Sequence, residues 1–160
     1  MTPLDPAQAR FLAEARRAVL ATIGPTGRPR LVPICHVLVG TAGDATLYSA
    51  LDDKPKRSAD PHDLGRVRDL LTRPAVTVLV DRWDEDWGRL AWLRVDGTAR
   101  LLEPDDEGVG HERAIAIATL RGKYPQYVGH DLETRPIIRI ELGHVVGWGP
   151  LDDTGSGVGS

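Results

Sequence analysis

The residues with the clearest chemical potential lie in Asp53-Lys54-Pro55-Lys56-Arg57, a polar run that follows the β-rich segment Thr46–Ala50. The chain carries three lysines against seventeen arginines, and two of those lysines flank Pro55. Pro55 fixes its own φ and pushes Lys54 toward an extended conformation, so ordering the two ammonium groups around an anion costs little. A strand end followed by a rigid cationic loop is suited to holding a phosphate. The same composition also describes a solvated turn that merely carries charge.

Other constellations exclude more than they assign. Cys35 and His36 are neighbours in what reads as a strand, so their side chains point to opposite faces, poor geometry for a nucleophile and its base. Cys35 reads as structural and His36 as a core or interface histidine. His111-Glu112 lacks a second histidine at helical spacing, and Gly24-Pro25-Thr26-Gly27 lacks the Lys-Ser/Thr pair of a phosphate loop. Asp84, Glu85 and Asp86 do not alternate as oxygen ligands of a cation loop would, and read as a solvated tip. A single cysteine excludes an internal disulfide and a multi-cysteine metal cage. No metal site and no catalytic residue is assigned.

The elements that position these groups follow from periodicity. Asp5 and Pro6 open a helix to Arg17, with Phe11, Leu12 and Ala15 on one face. Ala18–Ile23, Arg28–Val39 and Ala45–Ala50 read as three strands of an antiparallel meander, the first turn being Gly24–Gly27. Asp60 or Asp63 is placed to cap a helix over Leu64–Thr72, which Pro74 stops. Val76–Val80 and Leu90–Leu102 are strands, Asp105–Arg121 a helix, and Ile137–Leu142 and Val145–Trp148 the last strands. The expected architecture is mainly β with peripheral helices, a small barrel or strongly curled sheet.

At 160 residues the chain reads as one domain over 1–150 with a Gly/Ser-rich tail at 151–160. A formal net charge of −3 and no basic face argue against a nucleic-acid partner. No apolar run reaches the length of a membrane span, and Met1–Pro6 lacks the basic-then-apolar order of a secretory leader. A reducing, cytoplasmic setting is the default. Four tryptophans against one phenylalanine point to aromatics with one polar edge, and Trp83, Trp87 and Trp92 are expected to be covered by a partner subunit or a bound ring.

The run Ala18–Pro33, with its Gly-Pro-Thr-Gly-Arg-Pro-Arg turn, resembles the opening hairpin of the pyridoxamine 5'-phosphate oxidase-like, FMN-binding split β-barrel superfamily. Leu47-Tyr48-Ser49, Lys54–Arg57, Val67–Leu70 and Pro74–Val80 follow in the order expected there. Asp53–Lys56, Asp81–Trp87 and Lys123–Tyr127 together look like its F420-dependent oxidoreductase branch, F420 being a deazaflavin coenzyme. The likeness spans roughly residues 8 to 150.

The resemblance implies a split-barrel homodimer with two cofactor sites at the subunit interface, a small-molecule substrate, and coenzyme F420 or, alternatively, FMN. It implies that Lys54, Pro55, Lys56 and Arg57 hold the cofactor phosphate and that Ser49 and Ala50 contact phosphate and ring. Pro33 and Ile34 match backbone that lies along the ring, Arg68 a basic helix position aimed at the phosphate, and Trp148 a segment crossing to the neighbouring site. The activity implied is hydride transfer between reduced cofactor and a small organic acceptor. An FMN-dependent enzyme and a non-catalytic flavin, deazaflavin or haem binder are the alternatives. Tyr48, His36 and solvent stand as proton donors. Ser58–Gly65 is an insertion relative to the simpler members.

Overall fold

The computed structural model describes residues 4–51 and 60–152. Helix α1 (Pro6–Glu14) starts as its sequence dictates: Asp5 accepts from the Gln8 amide at 2.8 Å, and the Gln8 side chain accepts from the Asp5 amide at 3.0 Å. The strands are β1 (Ala18–Ile23), β2 (Pro29–Ile34), β3 (Val37–Val39), β4 (Thr46–Ala50), β5 (Ala75–Arg82), β6 (Ala91–Leu102) and β7 (Ile137–Trp148). Helix α2 (Gly65–Thr72) lies between β4 and β5, and α3 (Gly110–Lys123) between β6 and β7. The seven strands of the described residues form one antiparallel sheet in the order β2-β1-β5-β6-β7-β4-β3.

That order dictates the shape. β2 and β3 are the two edges of the sheet, yet only Cys35 and His36 separate them in the chain. The Ile34 and Val37 Cα atoms therefore lie within about 11 Å of each other. Seven flat strands would hold the edges about 29 Å apart. The sheet must curl until its edges nearly meet at this corner, which makes it a split β-barrel. The strand expected over Arg28–Val39 is thus two strands with different partners, β2 on β1 and β3 on β4, and the meander is two hairpins joined at a corner. The two strands expected at the C-terminal end run as one, β7.

Curling needs bends in the longest strands. β6 has a register shift between Val95 and Gly97 opposite β7. A Cβ on Gly97 would sit 2.6 Å from Ile140 Cγ2 and 2.7 Å from the Glu141 carbonyl, so the close crossing requires glycine. Inside the curl, Leu20, Val78, Leu93, Ile138 and Ile140 pack with Leu12 of α1 and Val67 and Leu70 of α2. A second cluster forms outside, where α3 lays Ala116, Ile117 and Leu120 against Val37, Tyr48 and Ile137.

The segment before α2 is pinned from both sides. Asp60 does not cap α2, which begins without a side-chain cap; it caps the single 3-10 turn Pro61–Asp63 by accepting from the His62 amide at 2.9 Å. The His62 ring spans two carboxylates, Asp60 at 2.7 Å and Glu103 at 2.6 Å. Those contacts hold its pKa above the ordinary histidine value, Glu103 contributing most. Leu151, expected in the tail, packs against the core. Among the described residues no helix is long and apolar enough to cross a membrane.

Candidate functional site

Four of the expected cofactor residues meet at the corner of the barrel. Ser49, almost fully buried on β4, donates from Oγ to the Cys35 carbonyl at 2.8 Å and so ties β4 to the chain between β2 and β3. Ile34 ends β2 with its side chain in the main core, and Pro33 beside it is exposed on the outer face. Ala50 packs into the cluster under α3. The side chains of Ile34 and Ala50 are thus used for packing, and what they can offer a ligand is backbone. Among the described residues β2 is an unpaired edge of the sheet, and its two prolines, Pro29 and Pro33, sit where a missing N–H costs the sheet nothing.

Arg68 lies elsewhere. It lines a pocket of about 340 Å³ between the Gly24–Pro25 turn and α2, together with Arg30, Asp69, Thr72 and Arg73. The buried Asp69 carboxylate accepts from Arg30 Nε at 2.7 Å and from Thr22 Oγ1 at 2.8 Å. Burial pushes its pKa up, but these two hydrogen bonds outweigh that and hold it below the usual range. Arg73 donates through Nη1 to the Gly24 carbonyl at 2.9 Å. A Cβ on Gly65 would come within 2.6 Å of the Arg30 guanidinium carbon, so glycine there lets Arg30 lie against the start of α2. Arg30 and Ile34 lie toward opposite ends of the same edge strand, on the order of 13 Å apart. Arg30 and Arg73 were missed in the sequence; Arg28-Pro29-Arg30 after the hairpin turn was the visible signal for Arg30, and Arg73 had none.

Lys54, Pro55, Lys56 and Arg57 lie outside the described residues. Trp148 is not near the corner within one chain. Ser49 pairs with Ile138, and Trp148 is ten residues further along β7, roughly 30 Å away. There it pairs with Trp92 on the outer sheet face. On that face Val19, Leu31, Leu79, Trp92, Asp81 and Arg94 line an open groove of about 430 Å³. Trp83 and Trp87, 66% and 70% exposed, stand on the β5–β6 connection beside it. Arg82 closes the root of that connection through the Arg89 carbonyl at 2.9 Å and the Pro150 carbonyl at 2.6 Å.

Both side chains considered as proton donors are otherwise engaged. Tyr48 points under α3 and donates to Glu112 at 2.6 Å; burial first, then Glu112, raises its pKa to about 12. Arg139 completes that cluster with a 2.7 Å bond to the same carboxylate oxygen. His36 is fully buried, its Nε2 donating to the Leu12 carbonyl at 2.7 Å, and burial lowers its pKa to about 4. Lys123, which donates to the Ala15 and His36 carbonyls, is lowered by burial to about 8. Among the described residues no three His, Cys, Asp or Glu side chains are grouped to hold a metal.

The curled sheet has close counterparts. A conserved hypothetical protein from Mycobacterium tuberculosis superposes with a TM-score of 0.68 at 18% identity, over 91% of this chain and 85% of the other. An FAD-binding protein from Mesorhizobium loti gives 0.61 at 22% identity, over 90% and 94%. An F420 reductase gives 0.57 at 20% identity, over 86% and 94%. No curated protein matches the sequence. Residues 4–149 match the family described as pyridoxamine 5'-phosphate oxidase, which spans the whole barrel from Leu4 to Gly149. The chain belongs to that family.

Proposed function

We propose that the protein is an F420-dependent oxidoreductase that acts as a homodimer on a small organic acceptor. The observation that carries this reading is the β2 edge, unpaired among the described residues, which runs from the Ser49-tied corner to a cluster of arginines. Such an edge fits an elongated ligand with a flat ring at one end and an anionic handle at the other. The ring would lie along the backbone of Pro33 and Ile34, and Lys54, Lys56, Arg57 and Arg68 would neutralise the handle. The bound cofactor supplies the hydride, and this chain binds it, orients it and keeps water from the ring. With Tyr48 and His36 both engaged in internal hydrogen bonds, protonation of the acceptor falls to solvent.

The dimer is supported by the reach of β7. Trp148 is too far from Ser49 to touch the same ligand in one chain, and across a two-fold it could complete a neighbour's site. The apolar outer face around Leu79 and Leu31 would be buried in that assembly. The choice of F420 over FMN rests on the likeness of Asp53–Lys56, Asp81–Trp87 and Lys123–Tyr127 together to the deazaflavin branch, with an F420 reductase among the similar folds. An FAD-binding protein of the same fold supports the flavin alternative.

Titration of the purified protein with F420 and with FMN, followed by tryptophan quenching, tests the reading. F420 should bind at least tenfold more tightly, and its reduced form should pass hydride to a panel of enones, quinones or nitro compounds. FMN binding by a wide margin would reverse the cofactor assignment. Tight binding without turnover on any acceptor would make the protein a cofactor carrier.

A further inference from the structure

We infer that His62 is a proton-dependent clasp, which fastens the turn leading into α2 to the end of β6 only while its imidazole is charged.

The geometry asks for a charged ring. Both ring nitrogens face carboxylate oxygens, Nδ1 against Asp60 Oδ1 at 2.7 Å and Nε2 against Glu103 Oε1 at 2.6 Å. An ionised carboxylate can only accept, and a neutral imidazole has one N–H and one lone pair. The imidazolium alone donates to both sides at once. Without its second proton the ring sets a lone pair against a carboxylate oxygen, and one of the two contacts must open.

The contact that opens is also defined. Asp60 is two residues away, and the same Oδ1 accepts from the His62 amide at 2.9 Å, so this carboxylate stays beside Nδ1. Glu103 is 41 positions away and reaches the ring from the residue after β6. The retained proton therefore belongs on Nδ1, and loss of the Nε2 proton parts the turn Pro61–Asp63 from the barrel.

The charges around the ring come from four elements. Its own turn carries Asp60 and Asp63, and α2 follows with Arg66 in its first turn. Behind Glu103 stand Asp106, whose carboxylate accepts from the Glu103 amide at 3.0 Å, and Arg113 of α3, whose charge both carboxylates favour. With Glu103 and then Asp60 holding the pKa above the ordinary 6.5, the clasp is closed below pH 6.5. It opens as pH rises through the higher folded-state value. The His62 and Asp60 side chains are 42% and 58% exposed, so solvent screens the pair too well for it to carry the fold. Val67 and Leu70 keep α2 seated in the core, and the opening is local.

The position gives the clasp a use. Residues 52–59, which carry the cations that the proposed function sets against the anionic handle, run between Leu51 and Asp60. Leu51 is buried in the core, an anchor indifferent to pH; Asp60 is an anchor that the clasp secures. This consequence rests on the proposed function: the grip on an anionic ligand weakens as His62 loses its proton.

The test follows the His62 ring by NMR in the full chain from pH 5 to 10. Contacts between the ring and the Glu103 side chain should be present below the titration midpoint and lost above it, while those to Asp60 persist. Glu103→Gln should move the His62 midpoint down. An equal midpoint in wild type and Glu103→Gln, or a Glu103 contact that survives the titration, overturns the clasp. F420 is then titrated against wild type and His62→Gln over the same range. Wild type should lose at least threefold more affinity than the variant, which shares any titration of the ligand itself. Equal pH dependence in the two overturns the regulatory role. If F420 binds at no pH while the ring titrates as expected, the proposed function falls and the clasp stands.

Discussion

Ser49 and Cys35 are joined by a single side chain-to-backbone hydrogen bond of 2.8 Å, and that bond crosses the place where the two edges of the sheet come together. Ser49 is also paired through its backbone to Ile138, so the bond connects the interior of the sheet to its corner. Ser49→Ala removes a buried donor and leaves the Cys35 carbonyl short of a partner. The expected loss is about 1–2 kcal/mol of stability, seen as a lower urea midpoint at unchanged slope. Cofactor affinity should fall as well, because the corner backbone is no longer held. A variant as stable as wild type would show that sheet pairing alone closes the corner.

Assembly is tested on the outer face. Leu79 pairs with Val19 on one side and Arg94 on the other, in the middle of the apolar groove. Leu79→Arg places a second cation beside Arg94, at a cost to the folded chain below about 1 kcal/mol. In a subunit interface the same change would bury an unpaired charge. Light scattering should report a dimer for wild type and a monomer for the variant, with F420 binding lost together with the dimer. A variant that stays dimeric would move the interface to another face.

Much of this architecture was readable because its signals are local. The Asp5–Gln8 capping box, the β-branched run of β5 and the alternation along β6 each lie within a few residues. The corner was not readable. Neither Cys35 nor His36 is a turn-former, and the break there exists because β2 and β3 pair with strands on opposite sides of the chain. The arginine pocket was invisible for a similar reason: Arg30 meets Asp69 across 39 positions and needs the absent side chain of Gly65, a fact of tertiary approach. Trp148 was legible as a residue type, while its distance from Ser49 depends on β7 running unbroken through Gly143.

Tyr48 stands next to Ser49 in sequence but serves the opposite face. Its hydroxyl donates to Glu112, whose carboxylate, despite burial, is held below the usual range by Tyr48 and Arg139. Tyr48→Phe removes one of the two donors and leaves the 2.7 Å contact from Arg139. Stability should drop by about 1 kcal/mol, with turnover by reduced F420 unchanged within twofold. A tenfold fall in kcat at unchanged KM would return Tyr48 to the chemistry as a proton donor.

The last prediction concerns pH and the seat of α1. His36 is buried between α1 and α3, with Nε2 donating to the Leu12 carbonyl, the Tyr124 hydroxyl on its own backbone, and the Lys123 ammonium on its carbonyl. Among the described residues Nδ1 has no hydrogen-bond partner, so a proton added there would find no acceptor among them in a site that already faces Lys123. The folded-state pKa of about 4 lies below the ordinary value of 6.5, chiefly through burial. The unfolded chain therefore binds this proton first, and stability present above pH 6.5 is lost as pH falls toward 4. The full swing is on the order of 3 kcal/mol for one buried histidine. His36→Gln keeps a side-chain donor for Leu12 and removes the titration. Urea unfolding from pH 4 to 8 should give a steeper acid decline for wild type than for the variant, the two curves running parallel above pH 7. Parallel curves throughout would mean that the imidazole titrates alike in the folded and unfolded chain, as a solvated group does.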